Sequence, residues 1–142
     1  MDEFTGYYFE DLKEGMTAVF GKTVTEADIC IFAGVSGDTN PVHLNDDYAK
    51  ATMFKGRIAH GMFGASLISA VFGTKMPGPG AIYVSQNLRF KAPVRIGDTL
   101  IARVTVTELM PQKKFAKFDT VCTVNEKAVL DGEAVLMVPS KG

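Results

Sequence analysis

Six consecutive residues, Asp38-Thr39-Asn40-Pro41-Val42-His43, place a carboxylate and an imidazole five positions apart. In a helix that spacing turns the two side chains roughly 140° from one another, because 3.6 residues make a turn. Pro41 fixes its own φ, lacks an N–H and drives Asn40 toward extended backbone, so we expect a loop over this segment. A loop can bring Asp38 and His43 to one point, and Asn40 is suited to brace it by bonding local backbone. A carboxylate and a histidine that share a water can orient it, take its proton and pass a proton to carbon. The plainer alternative stands beside that chemistry. Asp, Asn and Pro are ordinary turn formers, and His43 is then a satisfied loop histidine.

A second segment, Ala59-His60-Gly61-Met62, precedes a long apolar run. A helix starting near Gly61 exposes unpaired N–H groups at the positive end of its dipole, and glycine lets a substrate approach that backbone closely. Such an N–H can hold the negative charge that develops on a carbonyl oxygen. A glycine chosen only for tight helix packing explains the same residue equally well.

Other chemistries fit less well. Gly64-Ala65-Ser66-Leu67-Ile68 begins like a nucleophile elbow but lacks the second glycine and lies inside the apolar run. Asp38, His43 and His60, with Asp46 or Asp47, are metal-ligand types, yet two histidines without HExxH-type spacing lead us to expect no metal. No Walker or dinucleotide glycine pattern is present, so no cofactor is expected. Cys30 falls in an apolar helical stripe and is expected to be a buried thiol. Arg89, Lys91 and Arg95 form one basic group and Lys113, Lys114 and Lys117 another. Either could meet phosphates, but lysine-rich hairpins are commonly solvated edges.

These residues must be held by one domain spanning residues 1–142, a length that leaves little room for a second. With 46% hydrophobic and 22% charged residues, the chain can bury a core, and a net charge of -1 speaks against a nucleic-acid partner. Two cysteines without a CxxC pair fit a reducing, cytoplasmic setting, and the acidic start Met1-Asp2-Glu3 does not read as a secretory signal. The apolar run Ile58–Gly73 holds His60 and several glycines and is shorter than the roughly 20 residues of a membrane span. We expect no membrane partner.

Along the chain, Met16–Val24 alternates like a strand. Thr25 followed by Asp28 marks a helix start, with Ile29, Phe32 and Ala33 at helical spacing before Gly34, Gly37 and Pro41 close it. Asn45-Asp46-Asp47 begins another helix. A third runs from Gly61 to Phe72, with Gly73 as its stop; it is apolar on nearly every face and needs to be surrounded. Four strand-like runs follow, at Ala81–Phe90, Thr99–Leu109, Phe115–Val124 and Val129–Val138. Short links favour antiparallel hairpins, and Asp131-Gly132 suggests a bulge. The expected class is α+β: one curved antiparallel sheet wrapped around one central apolar helix.

With both segments in view, the sequence resembles the R-specific enoyl-CoA hydratases of the MaoC-like dehydratase family, which share the hot-dog fold. The likeness rests on Asp38-Thr39-Asn40-Pro41-Val42-His43 and Ile58-Ala59-His60-Gly61-Met62. It continues through Ser69, Tyr83, Leu88-Arg89-Phe90, Pro93-Val94, Ile96-Gly97-Asp98 and Gly132-Glu133-Ala134, from about Phe9 to Pro139. It implies that Asp38 and His43 hold the water that attacks the β-carbon of a trans-2-enoyl-CoA, giving an (R)-3-hydroxyacyl-CoA. By the same resemblance the Gly61 amide binds the thioester oxygen. Asn40, His60, Met62 and Ser69 are then expected to bind or shape the substrate. Coenzyme A is part of the substrate, and a homodimer or dimer-based oligomer is implied. The rivals are a hot-dog acyl-CoA thioesterase and a non-catalytic acyl-CoA binding module.

Overall fold

The computed structural model describes residues 2–142. Its centre is one antiparallel sheet with β1 (Thr17–Thr23), β2 (Ile82–Gln86), β3 (Arg89–Phe90), β4 (Thr99–Met110), β5 (Phe115–Val124) and β6 (Lys127–Met137). The order is β1-β4-β5-β6-β2, with β3 also paired to β6. Period-2 alternation sets which face is covered. Leu100, Ala102, Val104 and Val106 of β4 and Ala116, Phe118 and Cys122 of β5 all point inward and are buried.

Four helices lie between β1 and β2: α1 (Glu26–Ser36), α2 (Pro41–Leu44), α3 (Asp46–Lys50) and α4 (Gly61–Thr74). α4 lies against the sheet through Phe63, Gly64, Leu67, Ile68, Val71 and Phe72. Gly64 permits this approach, since a Cβ there would stand 2.8 Å from a methyl of Leu130. This is the hot-dog arrangement expected from the sequence. The burial of α4 is one-sided, however. Met62, Ser66 and Ser69 on the opposite face remain exposed in the single chain.

Several local expectations need correction. The segment beginning at Pro41 is a short helix rather than loop throughout, because Pro41 takes the first helical position and Asn40 caps it. α1 continues past Gly34 to Ser36, and Gly37 ends it in the left-handed conformation at φ 81°. α4 likewise passes Gly73 to reach Thr74. The run Ala81–Phe90 is two strands, interrupted at Asn87 and Leu88. In β6 the register shift against β5 lies at Val129, not at Asp131-Gly132; Cys122 faces Leu130 and Thr123 faces Ala128. The extra residue explains why consecutive Val129 and Leu130 are both buried. Cys30 is exposed; Ile29 and Ala33 carry the inward face of α1.

Candidate active site

The loop after α1 is built by short local bonds. Thr25 and Asp28 form the expected capping box at the start of α1, with bonds of 2.9 and 3.1 Å. At the other end Gly37 turns the chain, and the Asp38 N–H donates to Ser36 Oγ at 3.1 Å. Asp38 Oδ1 then accepts the Asn40 N–H at 3.2 Å, and Asn40 Oδ1 accepts the Val42 N–H at 3.1 Å. Asn40 thus braces the backbone, as its residue type suggests, and starts the helical turn that carries His43.

His43 is 7% exposed, whereas Asp38 is exposed. The Nδ1 of His43 lies 2.8 Å from the carbonyl oxygen of Ile58. A carbonyl only accepts, so Nδ1 carries the hydrogen and the neutral ring keeps a lone pair on Nε2. The same two segments are tied by Ile58 N–H to Val42 O at 3.3 Å. Arg57 completes the clamp: its Nε donates to the His43 carbonyl at 2.7 Å and its two terminal nitrogens grip Glu26 at 2.9 Å each. Those bonds hold the Glu26 carboxyl below its ordinary pKa and raise that of Arg57.

His60, 3% exposed, lies between these parts. Its Nε2 donates to the Asp38 main-chain oxygen at 2.8 Å, and its ring stacks on His43 with centroids 3.8 Å apart and planes 26° from parallel. Asp38, His43 and His60 each place a nitrogen or carboxylate oxygen within 4.8 Å of the other two. The stack works against a shared metal ion. Imidazole lone pairs lie in the ring planes, and two stacked rings with centroids 3.8 Å apart and planes only 26° from parallel cannot both aim a lone pair at one ion about 2.1 Å away.

Asp38, His60, Gly61, Met62, Phe90 and Lys91 are among the residues that line a largely apolar cavity of about 570 Å³. Gly61 is the first residue of α4, so its N–H has no partner within the helix. A side chain there would also crowd the cavity, with a Cβ 2.8 Å from the Phe90 ring. Met62 borders a second cavity of about 550 Å³, shared with Phe32, Ser69, Tyr83 and Leu88. Ser69 is eight residues along α4 from Gly61, or about 12 Å at 1.5 Å per residue. Asp38, His43, His60 and Gly61 are therefore gathered at one point, and Ser69 lies apart from them.

Of the basic residues, Arg89 and Lys91 both pair with Asp131, Lys114 with Glu10 and Lys117 with Glu133. Arg95 bonds the Phe54 carbonyl and the Asp98 side chain accepts its N–H. Sequence reasoning missed Arg57 and gave no role to Ile58, although Ile58 opens the second segment of the resemblance. Arg57 reaches across 31 positions to Glu26, and Ile58 acts through its carbonyl, which its side chain does not advertise.

Residues 10–129 match the family described as MaoC like domain. The chain is 62% identical to the (R)-specific enoyl-CoA hydratase of Rhodospirillum rubrum, over 99% of this chain and 98% of that protein. It is 48% identical to the 3-hydroxybutyryl-CoA dehydratase of Methylorubrum extorquens, covering 99% and 90% of the two chains. Among solved structures it is similar to R-hydratase PhaJ1 of Pseudomonas aeruginosa, with a TM-score of 0.91 and 44% identity over 96% of this chain and 88% of that one.

Proposed function

The chain belongs to the MaoC-like domain family, and from that premise we propose that it reversibly hydrates trans-2-enoyl-CoA to (R)-3-hydroxyacyl-CoA. The observation that carries this reading is the His43 ring. With Nδ1 spent on Ile58 O, its Nε2 is left as an acceptor, the ring has a nitrogen within 4.8 Å of an Asp38 carboxylate oxygen, and Gly61 lines the adjoining cavity. Asp38 and His43 together orient the water. As its oxygen bonds to the β-carbon, the dyad takes its proton and returns a proton to the α-carbon. The electron pair of the double bond moves toward the thioester carbonyl, where the Gly61 N–H stabilises the developing enolate oxygen. One water is added, nothing is released, and no cofactor enters the balance. Asn40 serves as a brace for the dyad, and Met62 and Ser69 shape the space for the acyl chain.

Incubation with crotonyl-CoA is expected to bleach the conjugated double bond with no parallel appearance of free thiol, and a chelator should leave the rate unchanged. The product should have the R configuration. Thiol released as fast as the double bond disappears would replace this reading with thioester hydrolysis.

Two copies are proposed to pair through the free edge at β2. Ile82, Tyr83 and Val84 on that edge are 54%, 40% and 49% exposed, and the uncovered face of α4 lies beside it. Unpaired strand edges and apolar surface of this kind favour association. Light scattering should give a mass near twice 15.3 kDa or a multiple of it. Ile82→Lys, which sets like charges against each other across the paired edges, should yield a monomer of low activity. A fully active 15.3 kDa wild-type monomer at micromolar concentration contradicts the pairing. A cytoplasmic setting belongs to the same proposal, supported by the two free cysteines.

A further inference from the structure

His60 strands a polar atom. It is 3% exposed, and among the described residues its Nδ1 has no hydrogen-bond partner. A phenylalanine would fill the same space without that cost, so packing alone does not account for an imidazole here. What the imidazole adds is its other edge. Nε2–H holds the main-chain oxygen of Asp38 at 2.8 Å, while the ring face lies on His43 and Phe32 covers it from 4.9 Å.

The backbone of His60 adds a third connection. It is the residue that precedes α4, at φ -60° and ψ 136°, and its side chain makes no capping bond. The peptide that joins it to Gly61 carries the N–H assigned above to the thioester oxygen. Fixing the ring of His60 against Asp38 and His43 therefore also restrains the plane of that peptide.

We propose that His60 is a positioning residue for the hydration reaction, holding Asp38, His43 and the Gly61 amide in one register. This rests on the hydratase reading. The bond to Asp38 matters because Asp38 is exposed and its other hydrogen bonds, to Ser36 Oγ and from the Asn40 N–H, are local. A displacement of about 1 Å among reacting groups is enough to cost 10²-fold in rate.

Three substitutions separate the contributions. His60→Phe keeps the ring and removes the donor. His60→Gln places an amide N–H where Nε2 lies, and His60→Asn is too short to reach. With crotonyl-CoA as substrate, His60→Phe should lower kcat at least 30-fold with KM changed less than threefold, and its melting temperature should not fall. His60→Gln should recover at least fivefold of that loss, and His60→Asn should not. A His60→Phe enzyme with near-normal kcat, or Gln and Asn variants that are equal, overturns the proposal. A His60→Phe variant that does not fold leaves the Gln and Asn comparison to decide. Wild-type protein that hydrates nothing overturns both this role and the reading beneath it, whereas an active wild type with indifferent variants overturns this role alone.

Discussion

Asp38→Asn and His43→Asn are each expected to reduce kcat by roughly 10²–10⁴, the usual scale for a positioned acid–base group. The hydrogen bonds around the dyad make these the informative exchanges. An asparagine at position 38 keeps an oxygen to accept the Asn40 N–H and changes only the charge and basicity. At position 43, the asparagine amide nitrogen falls where Nδ1 lies and can still donate to Ile58 O, while the Nε2 lone pair is gone. His43→Gln does the opposite, placing its amide near Nε2 and leaving the Ile58 carbonyl unpaired. A fully buried unpaired carbonyl costs about 1–3 kcal/mol and this half-buried one costs less, so the glutamine variant should melt somewhat lower while the asparagine variant melts near wild type. The double variant should be little slower than the worse single one, since both groups serve one water. If the two residues were only structural, their losses would add and would follow the melting temperature. Near-normal turnover in either well-folded asparagine variant removes that residue from the mechanism.

The dyad was legible because its chemistry is contiguous in sequence. Asp38, Asn40, Pro41 and His43 lie within six residues, and the side-chain bonds that shape the loop each span two positions. The Pro41 turn was read as loop because a four-residue helix has no periodicity to detect; only the cap at Asn40 and proline at the first position could have signalled it. What orients the dyad was hidden. Ile58 contributes a carbonyl, and the stacking partner His60 lies 17 positions from His43. Arg57 looks like any surface arginine until α1 brings Glu26 to it.

The long strands were legible for a related reason. β4, β5 and β6 bury one face and expose the other, and period-2 patterning records that directly. β2 exposes nearly all its residues in the single chain, so its pattern could not show where it stops. Its end is set by Gln86, whose side-chain nitrogen bonds Asn87 O at 2.8 Å and Thr120 Oγ at 2.9 Å across the sheet. Cys30 misled because apolar neighbours on both sides made a stripe of a residue that bonds outward, toward Glu26. α4 was read as apolar all round and hence enclosed. Its second face, with Met62, Ser66 and Ser69, is left uncovered by its own chain.

Gly61→Pro is the sharpest test of the amide at the start of α4. Proline is well suited to the first helical position, where the missing N–H breaks no helical bond. His60 precedes it at ψ 136°, the extended geometry that a following proline requires. The exchange therefore removes the proposed oxyanion donor while sparing the helix. Its ring also enters the space held by Phe90, whose edge stands 2.8 Å from where a Cβ would be. Gly61→Ala controls for that, because it brings the same Cβ but keeps the N–H. Phe90 is 54% exposed and free to move outward, so the alanine enzyme should show mainly a higher KM. The proline enzyme should lose a further 10²–10³ in kcat relative to alanine, the cost of removing one such donor, about 3–4 kcal/mol of transition-state stabilisation. A proline variant that melts like the alanine variant and turns over within about threefold of it shows that the charge on the thioester oxygen is held elsewhere.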